Sequence, residues 1–130
     1  YSFKDGNKKL KKIFTPSKIN FHDFTKNTSI GTSTMIIKRS VAKNIKFTST
    51  KICEDYFYKC LLLKRINYSF RLNSFQTKYR IRKDSLQSNR LKNLFWIWKI
   101  NNKYNNFNFV QNLLSVFFIS INSLKKYGFK

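Results

Sequence analysis

Two adjacent acidic residues, Glu54 and Asp55, are the strongest candidates for chemistry in this sequence. The chain has only five Asp and Glu residues beside twenty-seven Lys and Arg, so acids are not needed for solubility. The pair opens an aromatic-rich apolar segment, where a carboxylate can accept a proton, cap a helix, or do both. A metal site is not expected, because the only histidine, His22, is remote in sequence and no C-x-x-C pair exists.

The composition predicts a folded, strongly basic chain. A formal charge of +22 favours nucleic acid, an anionic membrane or a phosphorylated ligand as a partner, although a low-GC genome rich in Lys, Asn, Ile, Phe and Tyr codons would produce the same charge. A hydrophobic content of 42% with fourteen Phe excludes a disordered chain. Cys53 and Cys60 are seven residues apart, on one helical face, which indicates buried thiols in a reducing compartment rather than a disulfide. The sequence begins at Tyr1 rather than at an initiator Met, which makes a fragment plausible, and it shows no N-terminal signal-peptide pattern.

Local patterns in the first half predict a hairpin, a short helix, a strand and a longer helix. Asp5-Gly6 is a tight-turn dipeptide, so residues 1–14 are expected to form the hairpin. Residues 21–26 suit a short helix, and the β-branched run 30–37 suits a strand. Apolar residues recur at helical spacing over 54–65, which places the acidic pair in the first turn of a helix.

The second half predicts two strands and two helices. Residues 68–72 and 75–82 alternate apolar with polar side chains and are expected to be strands with one solvated face. Turn and N-cap residues at 84–85 and 88–89 precede a helix that includes Leu91 and Trp98, and the Asn-rich stretch 101–108 predicts a loop.

The last predicted helix carries one regular apolar stripe, formed by Val110, Leu113, Leu114, Phe117, Phe118, Ile121 and Leu124. Polar residues elsewhere on the helix argue against a transmembrane span. Burial of the stripe in the core is the favoured interpretation, and a membrane-facing surface is the alternative. The same two interpretations apply to Phe95, Trp96, Ile97 and Trp98 in the preceding helix.

Four segments, taken in order, resemble one enzyme family. They are residues 30–37 with Lys38-Arg39-Ser40, Phe47 leading into Cys53-Glu54-Asp55-Tyr56, residues 79–89, and Asn122-Ser123-Leu124-Lys125-Lys126-Tyr127. Together they resemble the second half of bacterial family 2 glycosyltransferases, over nearly the whole chain, and especially those that decorate lipopolysaccharide, capsule or other surface glycans.

The resemblance implies an α/β fold, the C-terminal part of a doubly wound GT-A nucleotide-sugar transferase domain. Residues 1–130 would be a single partial domain on the acceptor side, with a terminal helical pair at 90–127. Such enzymes transfer a sugar from a nucleotide-diphosphate donor to an acceptor hydroxyl. The resemblance makes Asp55 the general base, with Glu54 supporting it, and brings the acceptor-side residues Thr32, Ser33, Thr34, Ser88 and Arg90 near the substrate.

The resemblance also implies partners and a cofactor. The full-length enzyme would use a divalent metal, Mg or Mn, but its Asp-x-Asp ligands have no counterpart in this chain. The partners would be a nucleotide-sugar donor and a glycan or lipid-linked acceptor, at a cytoplasmic location, with peripheral contact to the anionic inner face of the plasma membrane left open.

Other interpretations compete with catalysis. Glu54 and Asp55 could serve only to cap a helix and neutralise its dipole. The chain could be an inactive remnant, or a basic module whose strands at 70–82 bind single-stranded nucleic acid, which is the less favoured partner. A salt bridge that seals Asp55 away from any cleft would contradict the catalytic role.

Overall fold

The computed structural model describes residues 2–4, 7–47, 50–75, 77, 79–81 and 89–127. Its strands are β1 (Ser2–Lys4), β2 (Asn7–Lys11), β3 (Lys18–Ile19), β4 (Ser69–Phe70) and β5 (Tyr79–Ile81). Its helices are α1 (Phe21–Asn27), α2 (Arg39–Ala42), α3 (Glu54–Leu63), α4 (Arg90–Asn105) and α5 (Phe109–Tyr127), with a 3-10 turn at Thr32–Thr34. The architecture is mixed α/β.

The described strands form two small sheets. β1 pairs antiparallel with β2 and parallel with β5, and β3 pairs antiparallel with β4. The β1–β2 pairing confirms the hairpin predicted for residues 1–14, although its turn at Asp5-Gly6 lies outside the described residues. The strands predicted at 68–72 and 75–82 are found in shorter form, and they belong to different sheets.

Side-chain caps fix where three of the helices begin. Asn20 and Asp23 form a capping box at the start of α1, and Asn89 accepts a hydrogen bond from the Lys92 backbone N–H at the start of α4. Asn108 and Gln111 form a second capping box at the start of α5. The Gln111 backbone N–H donates to Asn108 Oδ1 (2.8 Å), and the Asn108 backbone N–H donates to Gln111 Oε1 (3.1 Å). These caps satisfy N–H groups that have no partner inside the helix.

The core lies between α1, α3, α4 and α5. The buried cluster consists of Ile19, Phe24, Tyr56, Phe57, Cys60, Leu63, Ile97, Ile100 and Ile119. Both cysteines are free thiols, as predicted, with Cys60 buried and Cys53 half-buried. His22 is exposed on the predicted short helix.

A buried polar network joins the same four helices. Asn101 on α4 is fully buried, and its Oδ1 accepts hydrogen bonds from the Tyr56 hydroxyl (2.7 Å) and from Asn105 Nδ2 (2.9 Å). Its Nδ2 donates to Ser115 Oγ on α5 (3.0 Å), and the Ser115 hydroxyl donates to the backbone oxygen of Thr25 on α1. Because buried polar groups are costly without partners, this network fixes how the helices meet.

The network overturns the predicted loop at 101–108. α4 continues to Asn105, and only residues 106–108 connect it to α5. Two of the asparagines that suggested a loop, Asn101 and Asn105, are buried on the inner side of the helix. Asparagine is a weak helix former, but its amide here has tertiary partners that outweigh the propensity.

Polar residues of α5 face α1 because the last turn of α1 needs hydrogen-bond donors. A helix leaves its last carbonyl oxygens without intrahelical partners. In α1 the Phe24 oxygen is bonded by the Thr28 backbone N–H. Donors on α5 bond the next three oxygens: the Ser115 hydroxyl bonds Thr25, Asn122 Nδ2 bonds Lys26 (3.1 Å), and Lys126 Nζ bonds Asn27 (2.9 Å).

The prediction that the apolar stripe of α5 is buried is therefore wrong for most of its length. Asn112 and Ser115 are each only 1% exposed, whereas Val110, Leu113 and Phe117 are more than half exposed. The helix itself is confirmed, but its polar side packs inward. No described helix is long and apolar enough to cross a membrane.

The strand predicted at residues 30–37 is also wrong. This segment forms the 3-10 turn Thr32–Thr34 with irregular flanks. The Thr34 backbone N–H and hydroxyl both bond the Gly31 oxygen, at 3.0 and 2.9 Å. The Ile30 oxygen accepts from Lys59 Nζ on α3 (2.9 Å) rather than from a strand. Local hydroxyl bonding has replaced strand pairing here.

The inward polar side of α5 gives a test in two adjacent residues. We expect Ser115→Leu to lower the free energy of unfolding by about 2–4 kcal/mol, because it overpacks the interface and removes the partner of the Thr25 oxygen. We expect Leu114→Ser, on the exposed side, to cost less than about 1 kcal/mol. Urea denaturation of both variants measures the difference. A larger loss for Leu114→Ser would contradict the orientation of α5.

Candidate active site

The acidic pair lies in the first turn of α3, as predicted. The helix begins after Cys53, whose backbone is left-handed (φ 63°) and whose side chain makes no capping hydrogen bond. Glu54 and Asp55 therefore supply the negative charge that favours a helix N-terminus. This arrangement satisfies the capping interpretation, and the contacts of Asp55 determine whether it has a further role.

Asp55 belongs to a cluster that joins α3 to the 3-10 turn. Its Oδ2 lies 2.8 Å from Lys59 Nζ, one helical turn further along α3, and accepts a hydrogen bond from the Thr32 hydroxyl at 3.3 Å. Lys59 Nζ also donates to the Ile30 oxygen. The lysine side chain is 7% exposed and that of Asp55 is 36% exposed. An ammonium group buried to this degree requires such partners.

Opposing effects set the pKa of Asp55. Burial raises the pKa of Asp55. The charge of Lys59, together with hydrogen bonds from Lys59, Thr32 and the Tyr56 backbone, lowers it by more than burial raises it. The net pKa lies below the ordinary value of 3.8. Burial among aromatic residues therefore does not make Asp55 a stronger base, as a raised pKa would, and the carboxylate is ionised at neutral pH.

The salt bridge does not seal the carboxylate. With about a third of its side chain accessible, Asp55 can still be reached by a hydroxyl from outside the protein. The Lys59 ammonium and the Thr32 hydroxyl hold one oxygen in a fixed position. The arrangement can accept a hydrogen bond, and then a proton, from a bound alcohol.

The other predicted site residues are placed less closely. Ser33 and Glu54 are exposed, and the Thr34 hydroxyl is used within its own turn. Arg90 is the first residue of α4. The first turn of α4 lies near the start of α3, as shown by the distance of 3.8 Å between Cys53 Sγ and the Asn93 oxygen. Ser88 lies outside the described residues.

The sequence analysis missed Lys59, the residue that connects the cluster. The signal was present, because an acid four residues before a lysine on a helix predicts an ion pair. Cys53 is likewise not among the predicted site residues. Burial, with the nearby Asp55 charge, raises the pKa of the Cys53 thiol to about 11, so the group remains protonated at neutral pH and does not act as a thiolate nucleophile.

The described residues near Asp55 do not include a cluster of metal ligands. Among the residues that the structure describes, no three His, Cys, Asp or Glu side chains come together to hold a metal ion. A pocket of about 360 Å³ is lined by Asn44, Ile45, Lys46, Leu61 and Arg65 and does not include the acidic cluster.

Comparison with known proteins points to one class of enzyme. The chain is 28% identical, over 134 aligned positions, to UDP-Glc:alpha-D-GlcNAc-diphosphoundecaprenol beta-1,3-glucosyltransferase WfgD of Escherichia coli. The alignment covers 99% of this chain and 51% of that protein, so the chain spans about half the length of the curated relative it matches. No protein-family model and no solved structure matches the chain. The similarity supports a relationship to glycosyltransferases.

The lowered pKa of Asp55 predicts an acid-dependent stability. Because the folded-state pKa lies below 3.8, the ion pair stabilises the fold above that pH, and the contribution is lost as the pH falls through the folded-state value. We expect Asp55→Asn to lower the free energy of unfolding at neutral pH by about 1–3 kcal/mol, since the Lys59 charge loses its partner. We also expect this variant to lose less stability than the unchanged protein between about pH 5 and pH 2.

Urea denaturation at several pH values measures this effect. The matched control is Glu54→Gln, which removes the adjacent, exposed acid and should keep the part of the acid dependence that comes from the Asp55–Lys59 pair. An identical pH dependence for Asp55→Asn and Glu54→Gln would show that the Asp55–Lys59 pair does not contribute to stability.

Proposed function

We propose that this chain is the acceptor-side, C-terminal half of a family 2 glycosyltransferase domain of the GT-A type. The observation that carries the proposal is the Asp55 carboxylate, held by Lys59 and Thr32 and still partly open to solvent. The similarity to a glucosyltransferase and the order of sequence segments 30–37, 53–56 and 79–89 support the same assignment.

In the proposed reaction, Asp55 is the general base. An acceptor hydroxyl approaches the accessible side of the carboxylate and its oxygen forms a bond to the anomeric carbon of the donor sugar. The bond from that carbon to the diphosphate oxygen breaks as Asp55 takes the hydroxyl proton. This displacement inverts the configuration at the anomeric carbon. The lowered pKa keeps Asp55 ionised and ready to accept a proton, at the expense of base strength.

The remaining site residues take acceptor-side roles in this proposal. Thr32 orients the carboxylate, and Ser33 and Thr34 border the route by which the acceptor enters. Ser88 is placed near the acceptor, and Arg90 is proposed as an additional contact for the donor diphosphate, because guanidinium pairs with phosphate oxygens. Glu54 supports Asp55 through charge alone.

Apart from the contact proposed for Arg90, the donor-binding part of the reaction is assigned to residues outside this chain. The proposed partners are a nucleotide-diphosphate sugar and a glycan or lipid-linked acceptor in surface-glycan synthesis at the cytoplasmic side of the membrane. A divalent metal, Mg or Mn, would neutralise the leaving diphosphate, with ligands outside the described residues. The similarity does not favour the alternative of a nucleic-acid-binding module. The other alternative, an inactive remnant, predicts that the unchanged protein transfers no sugar.

The first functional test replaces the proposed base. The assay uses the whole encoded protein with UDP-glucose and a GlcNAc-diphospholipid, the substrates named for the relative. We expect Asp55→Asn to lower kcat by about 10²–10⁴-fold, because no carboxylate remains to take the proton of the attacking hydroxyl. Glu54→Gln is the matched neighbour and should cost less than about tenfold. Circular dichroism establishes that both variants are folded. Equal rates for Asp55→Asn and the unchanged protein would exclude Asp55 as the base.

A second functional test uses Lys59 to move the pKa of the base. We expect Lys59→Met to raise the pKa of Asp55, because the charge and the hydrogen bond of Lys59, which lower it, are lost. The acid limb of the kcat/KM profile should then shift to higher pH, since that limb reports the free enzyme's base. A profile that keeps its acid limb in a folded, active Lys59→Met variant would mean that another group is the base.

A further inference from the structure

The outer side of α5 is an apolar surface that remains largely exposed in the described part of the chain. We define the α5 outer face as Phe109, Val110, Leu113, Leu114, Phe117 and Phe118, whose side chains are 39% to 70% exposed. If each large side chain offers about 200 Å², the face exposes on the order of 600 Å² of apolar surface. Patches of this size are at the upper end of what soluble monomers expose, and they mark interaction sites.

This exposure follows from the hydrogen bonding of α5 rather than from an irregular end of the chain. The inner side of the helix is committed to the oxygens of Thr25, Lys26 and Asn27. Turning the apolar side inward would remove these donors and bury three carbonyl oxygens without partners. The fold therefore holds the apolar side outward.

The α5 outer face continues onto α4. Leu91, Phe95 and Trp98 recur on that helix at i, i+4 and i+7, and the first two are more than half exposed. The Trp98 ring contacts the Phe109 ring edge to face, with centroids 5.6 Å apart. Aromatic rings that combine apolar bodies with polar edges are typical of a membrane–water interface.

The charge around this surface is of one sign. The sequence from Arg90 to Tyr127 contains six Lys and Arg residues and no Asp or Glu. Lys26 Nζ lies 6.0 Å from the Phe118 ring centroid, and Lys99 Nζ lies 5.2 Å from the centroids of Phe95 and Trp96. Cations therefore border the apolar face, where they can bond phosphates while the neighbouring rings enter an apolar phase.

We propose that the α5 outer face, with its extension on α4, docks the protein onto an anionic lipid surface, with both helices lying in the plane of the interface. No described helix can cross a membrane, whereas a helix with one apolar and one polar side suits the headgroup boundary. Lipid fits better than a second copy of this chain, because two surfaces of the same positive charge would repel each other. This inference does not rest on the proposed function, since lipid binding requires no sugar transfer.

Vesicle flotation and tryptophan fluorescence test the proposal on the whole encoded protein, in which any tryptophan outside this chain is replaced by phenylalanine. The two tryptophans of this chain, Trp96 and Trp98, both lie on α4, so their emission reports on that helix. With vesicles of phosphatidylglycerol and phosphatidylethanolamine, we expect binding, a blue shift, and quenching by brominated lipid. With neutral phosphatidylcholine vesicles, we expect binding to be at least about tenfold weaker.

Paired variants separate docking from adsorption of a basic protein. Leu113→Ser with Phe117→Ser keeps every charge and should weaken vesicle binding at least about tenfold. Ile36→Ser with Leu72→Ser removes two exposed apolar side chains elsewhere and should leave binding unchanged. Equal binding by both pairs and the unchanged chain would overturn the proposal in favour of charge adsorption.

Sedimentation velocity tests a second copy as the occupant. Flotation of the whole encoded protein tests whether its other residues cover the face, because an absence of vesicle binding there would overturn the proposal. A dimer that Leu113→Ser with Phe117→Ser dissociates, without vesicle binding by the unchanged chain, would overturn the proposal in favour of self-association. A complete absence of both vesicle binding and self-association in the folded chain would overturn it as well. Failure of sugar transfer alone would leave the lipid proposal intact and contradict only the proposed function.

Discussion

The fold depends on how the carbonyl end of a short helix is satisfied. α1 has only seven residues, and three of its last backbone oxygens are bonded by side chains of α5. One of those side chains, Ser115, is also bonded by Asn101, which connects the interface to α3 and α4. A single chain of hydrogen bonds therefore sets the orientation of all four helices. The apolar core around Tyr56 and Cys60 packs within limits that these polar contacts impose.

The same helix that contributes Tyr56 to this network presents Asp55 at its start. Because α3 is held by its buried residues, the carboxylate is presented from a rigid element, which is the requirement for a positioned base. Lys59 extends this rigidity to an irregular segment, since it bonds both Asp55 and the Ile30 oxygen. The 3-10 turn is thereby kept beside the acid without a strand to hold it.

Much of the fold could be predicted from the sequence where local signals decide the outcome. The pairing of β1 with β2 as a hairpin, the helix with Glu54 and Asp55 in its first turn, and the long final helix are all found. The errors occurred where partners distant in sequence decide. The sequence pattern of residues 30–37 predicts a strand, but in the structure the Ile30 oxygen accepts a hydrogen bond from Lys59. The pattern around Asn101 predicts a loop, but in the structure Asn101 lies within α4 and accepts a hydrogen bond from Tyr56. Helical periodicity locates the two sides of α5 correctly but does not say which one faces inward.

The polar contact between α1 and α5 also has a thermal consequence. An interface built from apolar side chains owes its strength to displaced water and weakens as the temperature falls. The α1–α5 interface adds three hydrogen bonds to backbone oxygens of α1 to the apolar core, to which Phe24 and Ile119 belong. Polar burial contributes to the heat capacity with the sign opposite to that of apolar burial. Separation of these two helices should therefore carry a smaller heat-capacity change than separation of a purely apolar pair of the same size, and their contact should loosen less in the cold.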